Sequence, residues 1–418
     1  MSPAGGGGES ATRDRAVAPE DDPDPTADEL IARGAAMRDT LRARQAECEA
    51  LGRLPDATND EYIGAGFFRV LQPRRFAGHE LGLEAFLRIA IELSRGCPSS
   101  GWVYALTAGH AHTVTMWPEQ GQVELFGDGD FRCPFSNLPA RAVAVDGGFQ
   151  VDGWWDYGSG CDTATHFIGG IAVVDAPGGE IVDTRWAAFP RDAYRIVDNW
   201  DTLGMRGTGS RRVVVEDLLV PEHHTVPSPN PGRPVVDFPG RSVHENAIYR
   251  GGSIIPLLVS EPAAVAVGIA QGAIDHYIEI LQTRHQYGPA SPLRRELSMF
   301  QRDLGRATAL VDTAEAALMQ VAATWTRQAH DVVERGIAIT DEMQRRLLMI
   351  CQQIVELCTE AVDTIFRSAG TSATRKGERV ERCFRDINMI RTHVTMQFER
   401  TWENVGQMRL GLPPGSFF

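Results

Sequence analysis

The sequence has no CxxC pair, no run of about 18 consecutive apolar residues and no surplus of positive charge. Its seven cysteines (Cys48, Cys97, Cys133, Cys161, Cys351, Cys358 and Cys383) are odd in number and widely scattered. Neither a disulfide framework nor a zinc site is suggested, and a reducing cytoplasm is the expected compartment. The opening MSPAGGGGESATRDRA carries no apolar signal core, so no secretory or membrane segment is expected. With 41 Lys plus Arg against 55 Asp plus Glu, the formal charge is -14. That balance disfavours a protein that tracks nucleic-acid phosphates or binds anionic membranes, and leaves a small molecule or another protein as partner. GxSxG, Walker and strand-linked GxGxxG motifs are also missing, which argues against a hydrolase elbow, an NTPase and a Rossmann nicotinamide site. His223-His224 lacks a carboxylate at metal spacing, so no metal is expected there.

What is present is an ordinary globular composition, 43% apolar and 23% charged, over 418 residues. Residues 1–26 are rich in Gly, Ala, Asp and Pro and are predicted to be a disordered leader. From Thr26, a predicted N-cap, to about residue 130 the pattern is helical, with Leu30, Met37, Leu41 and Cys48 on one face. Between 131 and 225 the period becomes two. Apolar residues alternate on both sides of Asp146-Gly147, which predicts a hairpin, and HFIGGIAVV, WAAF and RRVVVEDLLV predict further strands. A linker is expected at 226–255 and a four-helix bundle at 256–418. One bundle seam carries Phe300, Leu304, Ala307, Val311, Ala314, Leu318 and Val321; the next carries Met343, Leu347, Ile350, Ile354, Leu357, Ala361 and Ile365. Thr340 is predicted to cap the second of these and Gly370 to end it, with one last helix at about 380–408. The segment 263–274 is apolar all round, which predicts a bundle centre or a subunit interface. The predicted fold class is thus α+β: a helical domain, a small β-barrel or sandwich, and a helical bundle.

Several motifs resemble the acyl-CoA dehydrogenase superfamily over about residues 27–412. Arg284-His-Gln-Tyr-Gly-Pro289 with Phe300-Gln301 is similar to its Arg-x-Gln-Phe-Gly-x-Pro and Phe-Gln, and Glu381-Arg-Cys-Phe-Arg-Asp386 to its Glu-Arg-x-Tyr-Arg-Asp. A dehydrogenase of that superfamily would carry a Glu-Gly-Thr about nine residues after the Arg of Arg-Asp. Here Val394 stands at that place, and a valine accepts no proton. The replacement, running to His393, resembles the oxygenase branch of the fold, the group D flavin monooxygenases. Supporting matches are Trp102, His110 and Trp117-Pro118; Ser136 three before Pro139; Gly153-Trp154 with Ser159-Gly160-Cys161; and Trp200 with Gly204-Met-Arg-Gly-Thr-Gly-Ser210 and Val220-Pro221.

The resemblance implies an oxygenase component that takes reduced flavin (FMNH2 or FADH2) from a separate NAD(P)H-dependent reductase. With molecular oxygen it would hydroxylate a phenolic or polycyclic aromatic compound through a flavin C4a-hydroperoxide. It further implies a homotetramer. By the same resemblance, Ser159 bonds flavin N5, Ser136 and Trp200 contact the flavin, Gly207 lets the backbone approach it, and Thr208 and Ser210 offer hydroxyls. His393, placed in the middle of the last helix, is the substrate base, and His110 lies beside the oxygen site. Arg284 reaches flavin phosphate across a subunit interface, with Gly370 and Thr371 near the neighbour's flavin. The residues by themselves also allow plainer roles: a turn serine at 159, a packed histidine at 110, a tight turn at 207–210, a solvated charge at 284. Two other functions stay open on sequence: N-oxygenation of an amine on the same fold, and a non-catalytic scaffold.

Overall fold

A computed structural model describes residues 24–415, apart from 128, 130, 177, 230–236 and 289. The expected leader therefore lies almost wholly outside the described residues, as do Pro289 and part of the expected linker. Seven helices come first: α1 (Ala27–Ala36), α2 (Arg38–Leu51), α3 (Asp56–Ala65), α4 (Leu83–Gly96), α5 (Pro98–Ala108), α6 (His110–Val114) and α7 (Glu119–Phe126). Thr26 starts α1 with a full capping box: its hydroxyl accepts from Glu29 N while its own N–H donates to the Glu29 carboxylate. The apolar face predicted as one stripe is split between α1 and α2, which meet at Met37; Leu30, Leu41 and Cys48 are buried.

Seven strands follow: β1 (Phe135–Val145), β2 (Gly148–Gly158), β3 (His166–Val174), β4 (Ile181–Pro190), β5 (Arg195–Val197), β6 (Arg211–Pro221) and β7 (Thr225–Pro227). They form one sheet in the order β5-β6-β2-β1-β3-β4-β7, in which β1 and β3 are parallel and the other pairs antiparallel. The predicted hairpin is present, with Val145 paired to Gly148 and Gly147 at φ +81°. A residue with a side chain would be strained there.

The last part comprises α8 (Ala247–Gly251), α9 (Ile254–Thr283), α10 (Ser298–Arg335), α11 (Asp341–Ala369), α12 (Arg379–Ile390) and α13 (Phe398–Arg409). Thr340 caps α11 by accepting from Met343 N. Two expectations need correction. The last helix is not continuous, because a turn at 391–397 separates α12 from α13, and His393 lies in that turn with extended backbone, φ -65° and ψ 143°. The apolar segment of α9 is long and apolar enough to cross a membrane, yet 83% of its most apolar window is buried within this chain. Ala263 to Ala270 are buried against both the first helices and the bundle, so this segment supplies no argument for a subunit interface. One continuous apolar core joins α1–α5 to α9–α12, and the sheet has its own core around Trp155, Phe167 and Phe189.

Candidate functional site

The site begins with a loop held in place by α12. In the segment between β5 and β6, Asp386 accepts from Met205 N at 2.6 Å, and Arg385 donates to Leu203 O at 2.8 Å while pairing with Glu381 and Glu49. The Glu381…Arg385-Asp386 motif is thus a clamp on this loop. Met205 sits at φ +52°, a strained conformation for a non-glycine residue. Its carbonyl accepts from Trp200 Nε1 at 3.0 Å and from Thr208 Oγ1 at 2.9 Å. Gly207 is fixed by Ser99 Oγ accepting from its N–H at 3.2 Å. A Cβ on Gly207 would lie 2.3 Å from Cys48 Sγ, so the close approach that needs glycine is to α2.

The clamp aims Thr208 and Ser210 at Ser159, forming a chain of hydroxyls with one direction. Trp102 Nε1 donates to Ser159 Oγ at 3.0 Å, Ser159 and Ser210 hydroxyls are 2.7 Å apart, and Ser210 and Thr208 hydroxyls 2.6 Å apart. An indole N–H only donates and a carbonyl only accepts. Since Thr208 gives its proton to Met205 O, Ser210 must give to Thr208 and Ser159 to Ser210. Ser159 therefore has no proton left to offer. One of its lone pairs takes the Trp102 N–H, and the other is available to an N–H donor on a ligand.

His393 faces the same place, its ring 5.5 Å from that of Trp102, edge to face. Burial lowers its pKa to about 4, so the imidazole is neutral at pH 7. Its Nδ1 accepts from Thr395 N at 3.4 Å and lies 2.8 Å from Thr395 Oγ1. Because a backbone N–H can only donate, the ring hydrogen is on Nε2, which has no partner among the described residues.

The other predicted residues fall in three places. Ser136 is buried and donates to Asp156 O at 3.1 Å. Trp200 is half-buried, its ring 5.2 Å from Tyr157. His110 is fully enclosed: Nδ1 is 2.6 Å from Cys133 O and so carries the hydrogen, and Nε2 is 3.8 Å from Glu261 Oε2. Burial takes the His110 pKa down to about 4 and holds the Glu261 carboxyl far above its usual range, leaving both neutral. Glu261 Oε1 has no partner. Sequence reasoning missed Glu261, although a lone carboxylate before Pro262 in so apolar a helix was a visible signal. Its environment marks His110 as part of a buried polar couple.

Arg284, Gly370 and Thr371 gather at the opposite end of α12 from His393, a helix of about 17 Å at 1.5 Å per residue; there, Arg379 pairs with Glu279 of α9. Arg284 donates to Ser372 Oγ at 2.6 Å and Arg294 to Ala369 O at 2.6 Å, and neither has a carboxylate in salt-bridge reach among the described residues. Burial, then the charge of Arg284, lowers the Arg294 pKa. Gly370, at φ +82° and ψ 165°, adopts a conformation open essentially to glycine alone, and Thr371 is exposed. Arg294 and Gly370 border a cleft of about 430 Å³. Apart from Ser136, Trp200 and His110, the predicted residues thus form two groups, a hydroxyl–imidazole group and a cationic group. Two unpaired guanidiniums beside a glycine turn suit the phosphate of a nucleotide, and a hydroxyl fixed as an acceptor suits the N5–H of a reduced flavin. The residues present fit that cofactor.

Residues 262–398 match the family model described as acyl-CoA dehydrogenase, C-terminal domain. The chain is 30% identical over 389 residues, 90% of its length and 97% of the relative's, to the oxygenase subunit HsaA, a flavin-dependent monooxygenase of Rhodococcus jostii. It is 28% identical, over 92% of its length and 95% of the relative's, to the oxygenase component of an FADH(2)-dependent resorcinol hydroxylase of a Rhizobium species. Among solved structures, XiaF from a Streptomyces species, in complex with FADH2 and glycerol, superposes with a TM-score of 0.84 at 26% identity, covering 93% of this chain and 97% of that one.

Proposed function

This chain belongs to the oxygenase subunits of flavin-dependent monooxygenases built on the acyl-CoA dehydrogenase fold, and from that premise we propose that it hydroxylates a phenolic or polycyclic aromatic substrate. The reduced flavin comes from a separate NAD(P)H-dependent reductase. The observation that carries this reading is the one-way hydroxyl chain ending on Ser159, whose partner Trp102 packs edge to face against the neutral imidazole of His393.

Reduced flavin, when bound, supplies the electron pair that activates molecular oxygen. Ser159 accepts its N5–H, and Trp102, Ser210 and Thr208 keep the serine hydroxyl from turning. The indole of Trp102 also walls the site against water. His393 is assigned a different task from the expected one. Moving a proton from a phenol of pKa about 10 to an imidazole of pKa about 4 is uphill by about 8 kcal/mol. The same ring presents Nε2–H, a donor. His393 therefore binds and orients the substrate oxygen by donating from Nε2–H, and a substrate that enters already as the phenolate, whose ring carbon beside the oxygen is electron-rich, is held by the same bond. Arg284 and Arg294 hold flavin phosphate, with Gly370 and Thr371 beside them. In this reading the phosphate belongs to the flavin of a neighbouring copy in a homotetramer. The cytoplasm is the proposed compartment, consistent with seven cysteines that are all free.

The test is to supply the protein with any flavin reductase, NADH and a panel of phenols and amines, and to analyse products by mass and NMR. The reading requires a phenol that gains one oxygen atom on a ring carbon, with peroxide release falling as product rises. Oxidation confined to amine nitrogen, or flavin turnover without product from any phenol, would overturn it.

A further inference from the structure

We propose that Glu124, His223 and His224 form a binding site for a divalent first-row transition cation of the zinc type. Sequence alone argued against a metal at the His223-His224 pair because no carboxylate stands at metal spacing from it in the chain. Folding supplies one from about a hundred residues away. The two imidazole Nε2 atoms lie 2.9 and 2.8 Å from the same oxygen, Oε2 of Glu124 at the end of α7. All three donor atoms lie within 4.8 Å of one another. Bonds of about 2.0–2.2 Å to such a cation are reached by small side-chain rotations.

The donors are held before any ion arrives. Gln120, one helical turn earlier, donates to Glu124 Oε1 at 3.1 Å and turns Oε2 towards the imidazoles. The two histidines occupy a short turn between β6 and β7. That turn is anchored by Thr225, whose hydroxyl donates to Glu222 O and accepts from Arg185 Nε. It lies directly on α7, since a Cβ on Gly121 would be 2.1 Å from His223 O. The side chains are 27%, 14% and 45% exposed for His223, His224 and Glu124, enclosed enough to be ordered and open enough for an ion to enter.

The donor set decides the ion. Two imidazoles and one carboxylate suit zinc, nickel or cobalt better than calcium or magnesium, which prefer oxygen throughout. Three protein ligands leave a position for water. Binding replaces two N–H···O contacts with three metal bonds, each ring moving its hydrogen to Nδ1. Because the ligands come from α7 and from the sheet, the ion would clip the helical part of the chain to the β layer. Two other histidine–carboxylate pairs, His276–Glu279 and His330–Glu334, each offer only two donors along one helix and serve as internal controls.

The full chain, stripped with chelator, is titrated with Zn2+ by calorimetry in excess Mg2+, and with Co2+ by visible absorption. One Zn2+ per chain is expected, with a rise in the unfolding midpoint and a cobalt d–d band. The double variant H223Q/H224Q should lose that one equivalent and the band, Glu124→Gln should do the same without touching the histidines, and Gln120→Ala should weaken binding about 10-fold. Circular dichroism checks that each variant is folded. Zinc binding equal in the wild type and in both ligand variants, or no stoichiometric binding at all, overturns the proposal.

Discussion

At the scale of the residue, His393 is a position that the sequence singles out but whose geometry and proton the sequence does not give. The missing Glu-Gly-Thr drew attention to it, but its place in a turn, its hydrogen on Nε2 and its pKa of about 4 exist only in the folded chain. These make it a donor. His393→Asn, which keeps an N–H, should retain a measurable part of the coupling of oxygen use to product, whereas His393→Ala should lose most of it. Equal loss in both would restore the base. The pH dependence has a definite sign. The neutral ring exists above its folded pKa and is lost as pH falls through about 4, so any acid limb due to this residue lies there and not near 6.5. Product yield followed from pH 8 to 5 should show no such limb.

At the scale of the element, strands and bundle seams were readable because burial imposes their periods: β3 (His166–Val174) coincides with a predicted segment, and the turn at Asp146-Gly147 follows from glycine. The break at 391–397 was not readable, since no proline or glycine marks it and the apolar spacing continues past it. The loop at 203–210 illustrates the same divide. Its glycines suggested a cofactor, whereas Gly204 and Gly207 admit the backbone of α12 and the side chain of Cys48. A Cβ on Gly204 would stand 2.3 Å from Arg385 O. Gly204→Ala should therefore destabilise the protein by about 1–3 kcal/mol and lower its melting point by several degrees. It should also weaken flavin binding by displacing Thr208 and Ser210. A melting curve like that of the wild type would show that the loop does not need this contact.

At the scale of the whole molecule, sequence order reveals three regions but not their joining. The first helices and the bundle share one core around α9, and two sets of chemical residues lie at opposite ends of α12. The couple His110–Glu261 and the cluster Glu124–His223–His224 were equally hidden, because their members are 151 and about 100 residues apart. If the cationic end holds phosphate, Arg284→Ala should weaken binding of reduced FMN or FAD about 10-fold and leave riboflavin, which lacks phosphate, unchanged. Equal weakening of all three would place Arg284 elsewhere in the account.

The central claim is that the hydroxyl chain fixes Ser159 as an acceptor, and the most direct measurement is flavin affinity in two oxidation states. Reduced flavin carries a hydrogen on N5 and oxidised flavin does not. Anaerobic titration should show the reduced form bound about 10-fold or more tightly than the oxidised form. That preference should shrink in Thr208→Val, where Ser210 loses its acceptor and Ser159 can turn its proton outward. Equal affinity for the two forms in the wild type, or a preference that Thr208→Val leaves intact, would contradict the account.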